Sequence, residues 1–308
     1  MFRSIDEVAR EFKKQKYICS NEISTVVYLS EHMQKPVLVE GPAGVGKTSL
    51  AGVWAQAAGF ELIRMQCYEG LDESKALYEW EYAKQLLYSQ ILKEKIGEVL
   101  SGCKNLKEAV DRIDKQEDVF FSEEFILPRP LLRAILAQEQ VVLLIDEVDK
   151  ADPEFEAFLL EVLSDFQVSV PELGTLKAKH IPRVVLTSNN TREMTDALKR
   201  RCLHLFIDFP AAEQERAIIR LKVPNISETL VRQVVDVIQK VREVDLKKLP
   251  SISETLDWAR ALTILNIDVL DEETIKSTLN LFLKYEGDIK KVSGNLQSLL
   301  STSEGKLN

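Results

Sequence analysis

The 308 residues carry 49 Asp and Glu against 40 Lys and Arg, a net charge of -9, with 45% hydrophobic side chains. The acidic balance argues against a general nucleic-acid or membrane-surface binder, since both need a dominant basic field, while the length allows a sizeable core and two domains. No run approaches the apolar length of a membrane span, the first residues are charged (Arg3, Asp6, Glu7, Arg10), and Cys19, Cys67, Cys103 and Cys202 are scattered without a C-x-x-C pair. A soluble cytoplasmic protein with reduced, buried thiols is expected.

Ile5, Val8, Ala9 and Phe12 have helical spacing behind Ser4 as N-cap, and Asn21 to His32 repeats the pattern. A short buried strand, Pro36 to Val39, then runs into Gly41-Pro42-Ala43-Gly44-Val45-Gly46-Lys47-Thr48, followed by Ser49 and a helix to about Ala58 that Gly59 closes. This is the G-x-x-x-x-G-K-[ST] spacing in strand–loop–helix context. Its glycines let backbone N–H groups converge on a phosphate, and the helix from Lys47 adds its positive end. Lys47 is expected on the β- and γ-phosphates of ATP, and the Thr48 hydroxyl on Mg²⁺.

Phe60 to Cys67 reads as a second strand, and the 69–140 stretch is too long for a simple crossover, which implies an insertion. Within it Leu77 to Ile96 has a helical period, Gly102 to Glu117 is charged and looser, and Phe120 to Leu132 reads as an irregular connection because of Pro128 and Pro130. A helix resumes from Leu131 to Ala137. Aromatic Tyr78 and Trp80 fit the core better than a pore.

Val141 to Ile145 is a continuous apolar run ending in Asp146 and Glu147, the pattern of a central parallel strand with acids at its ligand-binding edge. Asp146 is the natural partner of Mg²⁺, and Glu147 the candidate general base. Asp152 and Pro153 start a helix through Phe166, and 167–178 reads as a β-hairpin around Pro171 and Gly174. Arg183 to Thr187 is the next buried strand. It ends in Ser188, Asn189 and Asn190, where an amide can bond phosphate or water without altering charge; Asn189 is the first choice and Asn190 the second. In DALKRRC, Arg201, or Arg200 beside it, is a candidate transition-state cation. Leu203 to Phe209 is one more short strand. Beyond Pro210 only helices follow: Ala211 to Leu221, Ser227 to Val241, Ser251 to Asn266, Asp271 to Tyr285 and Asp288 to Leu300. Asn225-x-x-Glu228 and Ser251-x-x-Glu254 are capping-box patterns. His32, His180 and His204 are too dispersed for a metal site.

The order of P-loop, IDE, SNN and RRC before a helical region resembles an AAA+ ATPase over nearly the whole chain. The insertion at 69–140, the hairpin and EAFLLEVLSDFQVSVPELGTL resemble the MoxR family, and CYEGLDESKALYEWEYAKQLL, SNNTREMTDALKRRCLHLFIDFP and SETLDWARAL its CoxD-type branch. The resemblance implies an α/β P-loop NTPase core over residues 1–209 and an all-α lid over 210–308. It implies Gly41 to Thr48 as Walker A, Asp146 and Glu147 as Walker B, Asn189 as sensor 1, and Arg201 as the arginine finger of a homo-oligomeric, hexameric ring. It further implies a chaperone-type remodelling ATPase that works with a von Willebrand factor A domain protein to mature, or insert metal into, a client enzyme such as carbon monoxide dehydrogenase. The lid departs from the common pattern: where many AAA+ lids offer an arginine to the γ-phosphate, this one has Glu254, with Arg260 two turns later. A clamp-loader-like nucleic-acid motor and an ATP-switched, non-catalytic scaffold are the competing readings. The acidic charge counts against the first and the intact Glu147 against the second.

Overall fold

The computed structural model describes residues 2–81, 83–84, 86–87, 90, 126–170 and 174–296. Helix α1 (Ile5–Lys14) is capped by Ser4, whose hydroxyl accepts from the Glu7 N–H, and buries Val8 and Phe12. Helix α2 (Asn21–Met33), capped by Ser20, leads into β1 (Val37–Glu40), then α3 (Lys47–Ala58), with Gly59 left-handed as its C-cap, and β2 (Glu61–Gln66). Within the 69–140 stretch lie a short helix α4 (Glu73–Leu77), strand β3 (Tyr78–Trp80), strand β4 (Ile126–Pro128) and helix α5 (Pro130–Ile135). Strand β5 (Val141–Asp146), α6 (Pro153–Asp165), the hairpin β6 (Gln167–Val170) and β7 (Gly174–Lys177), β8 (Arg183–Ser188), α7 (Asp196–Arg201) and β9 (Leu203–Phe206) follow.

Five strands form one parallel sheet in the order β2-β5-β8-β1-β9. Helices cover both faces, so β1, β5 and β8 are buried at every residue while edge strand β2 alternates. On one face Val37, Val39, Val142, Leu144 and Val185 meet α1 to α3 through Phe12, Leu50 and Trp54. On the other, Leu38, Leu143, Ile145 and Leu186 meet α5 and α6 through Leu132, Ile135, Phe155 and Leu159. This two-sided burial explains why the central strands read as unbroken apolar runs.

After Pro210 the described chain is helical: α8 (Ala212–Lys222), α9 (Glu228–Glu243), α10 (Ile252–Ile264), α11 (Glu272–Phe282) and α12 (Glu286–Ser293). These helices enclose their own core of Val234, Ile238, Leu262 and Leu279, with Trp258 and Phe282 ring centroids 4.5 Å apart. Inside it lies a fully buried carboxylate, Glu215. Arg242 donates to both its oxygens at 2.8 Å, and Gln239 (2.7 Å) and the Thr255 hydroxyl (2.8 Å) complete the set. Arg242 also donates to the Pro250 carbonyl at 2.8 Å and lies over the Phe209 ring at 4.9 Å. One guanidinium thus ties the entrance of the helical region to the start of α10.

Several expectations need correction. The helical period assigned to Leu77 to Ile96 fails at its start: Tyr78–Trp80 is a strand, paired antiparallel with Ile126–Pro128. Further along, described residues 83–84, 86–87 and 90 are helical as expected, while the other residues of that stretch, the 102–117 segment and Cys103 lie outside the described residues. The connection 120–132 is not irregular where it is described. Pro128 ends a strand of a two-stranded ribbon, where a missing N–H costs little, and Pro130 opens α5 at its first position. Asn225-x-x-Glu228 is not a capping box. Asn225 has φ 63°, Ser227 is the N-cap that accepts from Leu230 N–H, and Glu228 is engaged by Arg220. Ser251 and Glu254 do form one. Asp152 precedes α6, but its carboxylate accepts from Gly70 N–H at 3.2 Å instead of capping the helix. Helix α11 stops at Phe282 and α12 starts at Glu286, so the expected break at Asp288 falls inside the last helix; 297–300 lies outside the described residues. In the hairpin, Pro171 and Glu172 also lie outside them.

Glu215→Ala leaves Arg242, itself 7% exposed, as an uncompensated buried charge. A loss of about 3–5 kcal/mol in the stability of the helical region is expected. Chemical denaturation monitored at Trp258 measures it, with Arg220→Ala, at an exposed pair, as the near-silent control.

Candidate functional site

Strand order builds the site. Because β8 lies between β5 and β1 and all three run parallel, the residues after their carboxyl ends gather at one edge: Asp146 and Glu147, Asn189, and the loop from Gly41. The loop depends on its glycines at two places. Gly41 has φ +146°, and a Cβ there would stand 2.0 Å from the Ile207 carbonyl oxygen; Gly46, at φ +101°, is the left-handed N-cap of α3. With no side chain to cap α3, the first-turn N–H groups are left to an anionic ligand. Pro42, Ala43, Gly44 and Val45 form the tip, and Lys47, Thr48 and Ser49 the first turn of α3.

Lys47 is 6% exposed. Its Nζ donates to the carbonyls of Gly41 (2.7 Å) and Pro42 (2.6 Å) and to Asn189 Oδ1 (2.8 Å). Burial pushes the ammonium below the usual lysine range, against the opposing pull of Asp149, Asp146 and Glu147. The other end of the same amide, Asn189 Nδ2, donates to Glu147 Oε1 at 3.2 Å. The Thr48 hydroxyl donates to Asp146 Oδ1 at 2.9 Å. The structure therefore brings Lys47, Thr48, Asp146, Glu147 and Asn189 together. Asn190, the second choice, has φ 58° and bonds locally with Ser188 instead.

Five participants were not singled out from sequence. The Thr187 hydroxyl donates to Asp146 Oδ1 (2.6 Å) and accepts from Glu147 N–H (2.9 Å), fixing the turn at Glu147, whose φ is 57°. Asp149 Oδ2 accepts from the N–H groups of Asn189 (3.2 Å) and Thr191 (3.0 Å) and from the Thr191 hydroxyl (2.6 Å), which holds the Asn189 loop. Gln66 Nε2 (2.9 Å) and Lys150 Nζ (2.6 Å) both donate to Glu147 Oε2. Arg64 Nη2 donates to Asp146 Oδ2 at 2.5 Å. The signal for Arg64 and Gln66 was polarity at the end of strand β2, which register sets opposite Asp146.

Beside the P-loop lies a cleft of about 360 Å³ lined by Tyr17, Ile18, Val45, Phe209, Ile218 and Leu256, with both the sheet region and the helical region contributing walls. Its walls add Glu22, Asp208, Gln214 and Lys222 to these apolar side chains, and beside a phosphate-binding loop such a mixture suits a flat heterocycle with polar edges. The start of α10 touches the loop tip: a Cβ on Gly44 would meet Ser251 Oγ at 2.3 Å, and Ser253 Oγ donates to the Gly44 carbonyl at 3.3 Å. Glu254 is committed to Ser251 and Lys248, so Ser253 is the α10 residue bonded to the P-loop. Arg201 lies just before β9, whose first residue pairs with Val37 at the start of β1, so it stands at the edge of the sheet opposite the Lys47 cluster. It is exposed, and its Nε donates to Ser164 Oγ of α6 at 2.6 Å. Arg200 is exposed beside it.

Elsewhere, Cys67 and Cys202 are buried, which pushes each thiol up to about 12, and Cys19 is half-buried. His204 bonds Glu40 Oε2 at 2.6 Å, and His32 the Tyr28 carbonyl. Among the described residues no cluster of three or more His, Cys, Asp or Glu forms a metal cage, and no helix is long and apolar enough to cross a membrane.

A family profile described as an AAA domain of the dynein-related subfamily matches residues 36–202. Among curated proteins, an uncharacterised protein of Staphylococcus haemolyticus is 26% identical over 277 residues, covering 86% of this chain and 91% of that one. The gas vesicle ATPase GvpN1 of Halobacterium salinarum is 25% identical over 244 residues, covering 75% of this chain and 64% of its own length. Among solved structures, a RuvB mutant of Thermotoga maritima aligns with TM-score 0.47 at 17% identity, covering 91% of this chain and 73% of that one.

Proposed function

The chain belongs to the AAA domain family, dynein-related subfamily, with the P-loop AAA fold of a parallel five-stranded sheet flanked by helices and followed by a helical region, and from that premise we propose that it is a Mg²⁺-dependent ATP hydrolase. The observation that carries this reading is the Asn189 amide, which accepts from Lys47 while donating to Glu147. It joins the phosphate-binding cation to a carboxylate placed to act as base.

The residues fit the ligand and its metal. The uncapped first turn of α3, the Gly41 to Ser49 loop and Lys47 would hold the phosphates, and the cleft beside Val45 the base. Thr48 and Asp146 offer two oxygen ligands, a number suited to an ion that keeps phosphate and water in its shell. A Mg²⁺ ion held there would neutralise charge on the phosphates. Glu147 takes the proton of the attacking water as its oxygen bonds the γ-phosphorus and the bond from that phosphorus to the β,γ-bridging oxygen breaks, ADP and phosphate leaving, and Asn189 orients that water. Thr187 and Asp149 accept from the backbone N–H groups of Glu147 and Asn189 and so fix the turns that carry these two side chains.

Arg201 serves as the arginine finger of a neighbouring copy in a ring, with Arg200 the alternate. Its exposure and its separation from the Lys47 cluster support action across an interface. The sequence resemblance to the MoxR family and its CoxD-type branch extends the reading to chaperone-type remodelling, in a homo-oligomer of hexameric type, of a client metalloenzyme together with a von Willebrand factor A domain partner. ATP-dependent capture of such a partner on immobilised Glu147→Gln protein tests that extension.

Lys47→Ala is expected to lose most ATP affinity, because Lys47 meets phosphate in the ground state. Glu147→Gln is expected to bind ATP and lose turnover by about 10²–10⁴-fold. Equilibrium binding and phosphate release, measured on both, decide the matter; near-parent hydrolysis by Glu147→Gln removes it as the base.

An arginine finger supplied in trans is worth about 10³–10⁵ in rate. Arg201→Ala and Lys47→Ala subunits, each inactive alone, should therefore regain some hydrolysis when mixed, as intact P-loops meet intact fingers. Mixed assemblies that form by light scattering yet stay inactive would assign the finger elsewhere, with Arg200 the next to vary.

A further inference from the structure

Asp146 is 2% exposed, and its two oxygens are held unequally. Oδ1 takes two neutral donors, the hydroxyls of Thr48 and Thr187. Oδ2 takes a cation, Arg64 Nη2, at 2.5 Å. Arg64 stands on β2, the edge strand beside β5, with its Cα opposite Leu144 and two residues before Gln66, which pairs with Asp146 itself. Its side chain therefore runs along the strand to reach the carboxylate, and the same Nη2 touches Gln66 Oε1 at 3.1 Å. More than half of the side chain, 55%, is exposed, against 3% for that of its partner. The contact thus joins a buried anion to a cation whose side-chain bonds, among the described residues, are both made at Nη2.

We infer that Arg64 is a resident counter-cation of Asp146, one that a divalent metal must displace in order to share that carboxylate. The inference rests on the nucleotide-hydrolase reading above. Arg64 covers the Asp146 oxygen that the two hydroxyls leave, so a guanidinium and a hydrated divalent ion compete for one carboxylate, and two cations there repel. Exposure makes exchange cheap: the guanidinium turns into solvent without uncovering much apolar surface. Arg64 thereby neutralises Asp146 while the site is without metal, which lowers the repulsion an incoming triphosphate meets, and it sets how much Mg²⁺ is needed to complete the site.

The test is the affinity of a fluorescent, non-hydrolysable ATP analogue for the parent, Arg64→Gln and Arg64→Lys, titrated with Mg²⁺ and repeated in EDTA. For Arg64→Gln the Mg²⁺ midpoint is expected to fall about two- to five-fold, the range for an exposed ion pair. In EDTA its nucleotide affinity should drop by a similar factor, while at saturating Mg²⁺ it matches the parent. Arg64→Lys, which restores the charge, should move both values back toward the parent. A midpoint that is unmoved or raised in Arg64→Gln overturns the proposal. So does equal weakening in EDTA and saturating Mg²⁺, which would make Arg64 a phosphate ligand. If the parent binds the analogue under neither condition, the hydrolase reading falls and this proposal with it; binding by the parent with no midpoint shift removes the proposal alone.

Discussion

The uncharged amide of Asn189 sits between a cation and an anion, and the rest of the site is arranged to keep it there. Its oxygen accepts from Lys47 at 2.8 Å and its nitrogen donates to Glu147 at 3.2 Å, so both groups must stand at fixed places on either side of one strand end. That is possible because β8, which carries Asn189, is the middle strand between β1 and β5. The backbone of Asn189 is then locked from below by Asp149, a buried carboxylate that spends one oxygen on three donors around the turn. An amide suits this position because it can accept and donate at once without adding charge to a crowded site.

Charge explains much of the remaining construction. Lys47, Asp146 and Asp149 are each buried, and an isolated charge there would be costly. Two carboxylates are met by cations, Asp146 by Arg64 and Glu147 by Lys150, while Lys47 is held by two carbonyls and an amide; neutral hydroxyls from Thr48 and Thr187 complete Asp146 Oδ1, and that of Thr191 bonds Asp149 Oδ2. The same logic recurs in the helical region, where Glu215 and Arg242 are satisfied together. Because Arg242 also holds the Pro250 carbonyl, just before Ser251 and the start of α10, that buried pair positions the end of the helix that touches the P-loop at Gly44.

The nucleotide-binding half of the site was legible because its residue types follow directly from chemistry. Glycine at +101° and a lysine at the helix start leave few substitutes, and a fully buried strand betrays itself as an apolar run that stops at an acid. What sequence did not disclose depends on strand order. Arg64 and Gln66 are ordinary polar residues on an edge strand until register sets that strand against β5. Asp149 and Thr187 read as turn and strand residues, and only the convergence of three strand ends shows what they hold. The base-sized cleft draws on 17–23, 206–222 and 252–256, segments that no local pattern links. Two of the misread stretches share one cause: Tyr78–Trp80 and Ile126–Pro128 are strands only because they pair with each other across a long separation, and neither carries the signal alone.

If Asn189 belongs to the chemistry rather than to the shape of the turn, its loss must slow hydrolysis far more than it weakens binding. The most direct measurement is the single-turnover rate of ATP hydrolysis by Asn189→Ala, taken with its equilibrium affinity for ATP. Lys47 keeps two carbonyl partners and Asp149 still holds the backbone, so affinity should stay within a few-fold of the parent. The chemical step, deprived of the group that orients water beside Glu147, should slow by about 10²-fold or more. A variant that binds and hydrolyses ATP at the parent rate would show that the amide only fills the turn, and would contradict its assigned part in the reaction.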